Sequence, residues 1–76
     1  MNTPDQTLDT RGLNCPLPIL RTKKTLNTMT AGQTLQVIAT DPGAVKDMSA
    51  FCEQTGHSLI STKEAHDEYI FLIRKS

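Results

Sequence analysis

Two X-Pro steps fix where helices can begin in this chain. Cys15-Pro16 and Asp41-Pro42 each stand where an extended pattern gives way to a helical one. Proline suits the first helical position, because its ring presets φ and its missing N–H is one of the donors a helix leaves unpaired there. In a chain of 76 residues, such starts belong to one domain with a single modest core. At this size only about 60% of the unfolded surface is buried on folding.

Periodicity fills in the elements. Residues 1–5 are expected to be a frayed tail, and Gln6 to Thr10 a short strand whose one strongly apolar residue is Leu8. Arg11-Gly12 then forms a turn. From Pro16 to about Met29, the residues Ile19, Thr22, Leu26 and Met29 recur at helical spacing, with Leu20 widening the stripe. Thr30 to Gln33 breaks this amphipathic helix. Thr34 to Thr40 alternates Leu35, Val37 and Ala39 as a strand, and Ile38 suggests partial cover of its second face. Asp41 caps a second helix with the stripe Ala44, Val45, Met48, Phe51 and Cys52, which Gly56 closes as a left-handed residue. Ser58 to Lys63 reads as a strand, Glu64 to Glu68 as a polar turn, and Tyr69 to Arg74 as a final strand. The order is β-α-β-α-β-β. The expected architecture is an α+β two-layer sandwich: a four-stranded mixed sheet with two helices packed on one face and a more polar opposite face.

Composition narrows the function. Phe51, Tyr69 and Phe71 are the only aromatic residues, and 37% hydrophobic content supports a small core but no large enclosed cofactor cavity. Eight Lys and Arg balance eight Asp and Glu, so no global field draws nucleic acid and direct nucleic-acid binding is not expected. The polar opening Met1 to Gln6 reads as neither signal nor transit peptide, and no segment approaches a membrane span. The expected compartment is the cytoplasm, where two cysteines are expected to be free thiols.

Within Gly12-Leu13-Asn14-Cys15-Pro16-Leu17-Pro18, Cys15 falls at or beside the N-cap. Unpaired amides of the first turn and the positive end of the helix dipole would favour a thiolate there. Pro18 removes another donor and stiffens the turn, whereas Leu17 and Ile19 still present N–H groups. Gly12 supplies a positive φ or a close backbone approach. Asp9 is expected to cap the turn and not to carry protons. Cys15 is thus a candidate sulfur nucleophile, against the plainer reading of a small packed hydrophobe.

Cys52 lies on the apolar stripe and is expected to be a buried thiol filling the core, the sharper alternative being a disulfide partner for Cys15. His57 and His66 stand at no metal-ligand spacing with a cysteine, so no metal is expected. Arg21, Lys23 and Lys24 form the one basic cluster. They read equally as a solvated helix face or, with Arg11, as a surface that steers an acidic partner.

Asp9-x-x-Gly12-Leu13-x-Cys15-Pro16-x-Pro18 resembles the signature of the TusA/SirA sulfur-carrier family. Asp41-Pro42, the Phe51-Cys52 region and the closing Leu72-Ile73-Arg74-Lys75 extend the resemblance along nearly the whole chain. It implies a cytoplasmic carrier that takes sulfane sulfur as a persulfide on Cys15 without a cofactor and hands it on, a relay more than a conventional enzyme. The implied donors are cysteine desulfurases or rhodaneses. The implied acceptors are DsrE-type or related relay proteins serving tRNA thiolation, molybdenum cofactor synthesis or sulfur oxidation. Leu17 stands where some members thought to serve tRNA thiolation carry an acidic residue, which leaves the pathway open. A monomer that meets partners briefly is expected. Two rival readings are an RNA-binding or regulatory module, since fold does not fix function, and a redox sensor built on Cys15 and Cys52.

Overall fold

The computed structural model describes residues 3–76. Its elements follow the order β1 (Gln6–Thr10), α1 (Leu17–Asn27), β2 (Thr34–Ala39), α2 (Gly43–Thr55), β3 (Ser58–Ala65) and β4 (Glu68–Arg74). The strands make one mixed four-stranded sheet in the order β1-β2-β4-β3. β1 runs parallel to β2, Leu8 beside Val37, so the chain must cross over between them, and α1 is that crossover. β4 then pairs antiparallel with both β2 and β3.

Alternation decides which side the helices cover. Leu35, Val37 and Ala39 of β2 and Phe71 and Ile73 of β4 are fully buried, and Leu26, Met29, Ala44, Met48, Phe51 and Cys52 close over them. α1 packs on β1 and β2, and α2 on β3 and β4, with the two helices in contact. Two buried hydroxyls find backbone partners: Thr10 donates to the Ile38 carbonyl at 2.7 Å and Thr22 to the Pro18 carbonyl at 2.8 Å. Burying either without such a bond would be costly.

Several expectations need correction. Leu20 and Val45, read as core, are 54% and 36% exposed; each is a helical neighbour of a buried position without facing the sheet. The open sheet face is also less polar than expected. Ile60, Ile70 and Leu72 line a shallow depression there with Gln36, Ser61 and Lys63. The cause lies in β4, which is apolar at consecutive positions and supplies both faces, and in a bulge at Ile60, which lies between the paired residues Leu59 and Ser61 and is half exposed. The last hairpin is tighter than Glu64 to Glu68: β3 runs on to Ala65, and only His66 (φ 52°) and Asp67 (φ 63°) turn, both left-handed as a two-residue hairpin requires. Gly56 is left-handed at φ 84°, as expected, and its N–H bonds the Cys52 carbonyl at 2.9 Å. At the amino end the chain is tied before the first strand begins. Asp5 donates its N–H to the Thr34 carbonyl at 2.9 Å, and its carboxylate accepts the Thr34 N–H at 2.7 Å. Met1 and Asn2, the start of the expected tail, lie outside the described residues.

Candidate functional site

The loop from β1 to α1 is held through the backbone N–H groups of Arg11, Gly12, Leu13 and Cys15. Asp9 accepts the Arg11 backbone N–H at 3.0 Å, the cap expected of it, and also the Arg11 guanidinium through both carboxylate oxygens. Arg11 reaches on to Glu68 at 3.3 Å. Its hydrogen bonds hold the Asp9 carboxyl down at about 2. Arg11 therefore serves this turn and is already paired with two carboxylates, which speaks against the alternative reading in which it joins the basic face of Arg21, Lys23 and Lys24. Gly12 adopts φ 81°, where a side chain would be strained, and its N–H bonds the Thr40 hydroxyl at 2.9 Å. The Leu13 N–H closes the turn on the Thr10 carbonyl at 3.2 Å.

Cys15 follows from this loop beside the N-cap, as expected, whereas Pro16 falls one residue before the first helical position expected of it. Pro16 (φ −98°, ψ 15°) is the N-cap and Leu17 the first helical residue, so Cys15 lies outside the helix; the Cys15–Pro16 peptide is cis. The Cys15 N–H donates to Asp41 Oδ2 at 2.8 Å, while Oδ1 of the same carboxylate accepts the Gly43 N–H at 3.2 Å. One aspartate thus caps the start of α2 and anchors the thiol-bearing residue. Pro18 has no N–H and is buried, and the Leu17 N–H is taken by the Asn14 carbonyl at 2.9 Å.

The thiol meets a carboxylate, not the amides of the helix start. Cys15 Sγ donates to Asp47 Oδ2 at 2.7 Å. That hydrogen bond favours the protonated form, and desolvation and the negative charges of Asp47 and Asp41 act in the same direction, so the thiol is pushed up from its ordinary value. This reverses the expectation of a stabilised thiolate. The helix dipole fades within its first turn, whereas Asp47 is in direct contact. Cys15, Pro16 and Ile19 form one wall of an open cleft of about 280 Å³, and Asp47, Ala50, Phe51 and Gln54 of α2 the other.

Asp47 was not found by sequence reasoning, although a signal was there. Ala44, Asp47, Met48 and Phe51 stand at i, i+3, i+4 and i+7, so Asp47 puts a charge on the inner stripe of α2. The sixth residue beyond Asp41 is brought to Cys15 only because α1 and α2 lie side by side.

The remaining candidates scatter. Cys52 is 3% exposed and packed in the core, and burial pushes its thiol up; both cysteines are free. His57 lies tilted against Phe51, ring centroids 5.9 Å apart, and accepts the Ser76 N–H on Nδ1 at 3.0 Å, while burial, then Lys75, lowers its proton affinity. His66 turns the last hairpin. Among the described residues no three His, Cys, Asp or Glu side chains gather as a metal-binding group, and no helix is long and apolar enough to cross a membrane. Arg21, Lys23 and Lys24 are all exposed on α1. Arg21 and Lys24 share a face with the exposed Leu17 and Leu20, at i, i+3, i+4 and i+7, whereas Lys23 projects roughly a third of a turn away.

Fold and site together define a small two-layer α/β domain that presents an exposed thiol beside an open cleft. The family model for sulfurtransferase TusA matches residues 6–75, and the chain belongs to the TusA family. Sulfur carrier protein TusA of Allochromatium vinosum is 64% identical over 72 residues, 95% of each chain. A relative from Neisseria meningitidis serogroup A is 49% identical over 69 residues, 91% of this chain and 93% of its own. The crystal structure of a SirA-like protein from Desulfitobacterium hafniense superposes with a TM-score of 0.77, covering 91% of this chain and 93% of that one. At 24% identity it speaks to the fold alone.

Proposed function

We propose that this protein is a cytoplasmic sulfur carrier that accepts sulfane sulfur as a persulfide on Cys15 and passes it to an acceptor thiol. The observation that carries this reading is the exposed Cys15 sulfur at the edge of the cleft, within the Cys-Pro-x-Pro segment of a TusA-family chain. Gly12, Pro16 and Pro18 support it by setting the path of the loop. The donor is a cysteine desulfurase or rhodanese and the acceptor a DsrE-type or related relay protein, in tRNA thiolation, molybdenum cofactor synthesis or sulfur oxidation. Each transfer is a thiol exchange in which the attacking group is the thiolate. No cofactor is needed, and Arg21 and Lys24, with Lys23 behind them, supply the steering charge for docking. The two-cysteine sensor is the weaker reading, because Cys52 is buried in the core and held away from oxidants and from exchange.

Intact mass under non-reducing conditions tests this, after incubation with a cysteine desulfurase and cysteine or with a rhodanese and thiosulfate. A reducible gain of one sulfur atom is expected in the wild type and in Cys52→Ser, and none in Cys15→Ser. Failure of the wild type with both donors, while known carriers load in parallel, would overturn the proposal.

A further inference from the structure

Asp47 is a poor neighbour for a nucleophile that must ionise. Its Oδ2 lies 2.7 Å from Cys15 Sγ, and Asp41 Oδ2 lies 2.8 Å from the Cys15 amide nitrogen. Among the described residues these are the two charged groups that face Cys15, one from α2 and one from the loop before it, and both are negative; α1 and its N-cap contribute only Ile19 and Pro16 to the cleft. Neither carboxylate is in an ion pair among the described residues. The free carrier therefore holds its thiol as a hydrogen-bond donor, in a cleft open to solvent on the side where a partner must approach.

We infer that Asp47 is a latch on Cys15, closed in the free carrier and opened by a cationic side chain that the sulfur donor brings into the cleft. The inference rests on the persulfide reading above. A Lys or Arg of the partner that pairs with Asp47 takes the carboxylate away from Sγ and replaces a nearby negative charge by a positive one. Both changes favour the thiolate. The Cys15 thiolate then attacks the terminal sulfur of the donor's protonated persulfide: a bond forms between Sγ and that sulfur, the donor's S–S bond breaks, and its cysteine leaves with the electron pair. The proton lost by Cys15 ends on that leaving thiolate, so the exchange balances without an outside oxidant. Closed, the same latch spares the carrier from reaction with small electrophiles between encounters. The apolar lining that Pro16 and Ile19 supply on one side and Ala50 and Phe51 on the other makes the partner's charge count for more than it would in open water.

Alkylation by iodoacetamide, followed by intact mass as a function of pH, reads the latch without any sulfur transfer. In Asp47→Asn, and in Asp47→Ser as a second variant, the midpoint of the alkylation profile should fall below that of the wild type. Each unit of that fall raises the rate at neutral pH roughly threefold, since tenfold more thiolate is partly offset by lower nucleophilicity. Superimposable profiles in variants with wild-type circular dichroism would overturn the latch. The partner's part is read by loading rates. A cysteine desulfurase should outpace glutathione persulfide by a wider margin for the wild type than for Asp47→Asn, and an unchanged margin would overturn the cationic opening. If no form takes up sulfur from any donor while the alkylation profile still shifts, the latch stands and the carrier reading fails.

Discussion

Asp9 and Arg11 settle a turn with charges that stay about half exposed to water, and this gives the acid behaviour of the protein a definite sign. The Asp9 carboxyl is held at about 2 in the folded chain, against 3.8 when free. A depressed folded value contributes stability above the unfolded one. As the pH falls, the unfolded chain takes up its proton first, near 3.8, and the folded chain only near 2, so the contribution is lost across that window. Asp9→Asn should therefore flatten the acid limb of a thermal-melt series between those values and leave its neutral end lower than wild type. A limb of unchanged slope would show that the pair does not outlast solvent screening. At this scale the sequence reveals residues with strong local grammar: Gly12 for its positive φ, Asp9 for its cap, Cys15 for its place between a turn and two prolines. It conceals whatever depends on another element. Asp47 is 32 positions from Cys15 along the chain, and no local rule joins them. The inversion of the thiol's expected proton affinity follows first from that missed contact, with desolvation and the charge of Asp41 acting in the same direction.

Elements were legible wherever one face is buried and the other wet. The β2 alternation and the Thr22 and Leu26 stripe of α1 hold as read, because packing on a single sheet face imposes those periods, while Met29 is buried just past the helix, which ends at Asn27 and not at Met29 as expected. Leu20 was misplaced for a related reason: hydrophobicity marks a residue as able to be core, while its angle on the helix decides whether it is. Two substitutions separate these cases. Leu26 is fully buried, and Leu26→Ala should cost about 3 kcal/mol in urea unfolding through lost transfer energy and the cavity left behind. Leu20 is 54% exposed, and Leu20→Gln should change stability by less than about 0.5 kcal/mol. A large loss at Leu20 would place it in the core after all. The hairpin boundary escaped sequence reading because His66 and Asp67 hold left-handed conformations usually given to Gly or Asn. Lys63, Glu64 and Ala65, read partly as turn, are paired in an edge strand whose side chains are exposed.

For the whole molecule, a formal net charge of zero means that encounters cannot be steered by total charge. Any steering must come from how charge is laid out. Asp41 and Asp47 gather at the thiol, Asp9 and Glu68 share the single positive charge of Arg11, and the exposed Arg21 and Lys24 stand along α1 with Leu17 and Leu20. A donor suited to this layout carries an acidic surface for the helix and a basic group for the cleft, two opposite patches that fix its orientation as well as attract it. Separate patches also explain why the basic run alone could be read from the sequence either as solvated surface or as docking surface: its meaning depends on the acidic cleft that folding puts nearby. The docking role proposed for Arg21 and Lys24 then predicts a salt-dependent loading rate. Raising ionic strength from 0.1 M to 1 M shortens the screening length from about 10 Å to about 3 Å, which should slow desulfurase loading of the wild type. The charge-reversed double variant Arg21→Glu, Lys24→Glu should load several-fold more slowly at low salt and lose the salt-induced slowing, with its melting temperature little changed because both side chains are exposed. Equal rates for the two proteins at low salt would return that face of α1 to plain solvated surface.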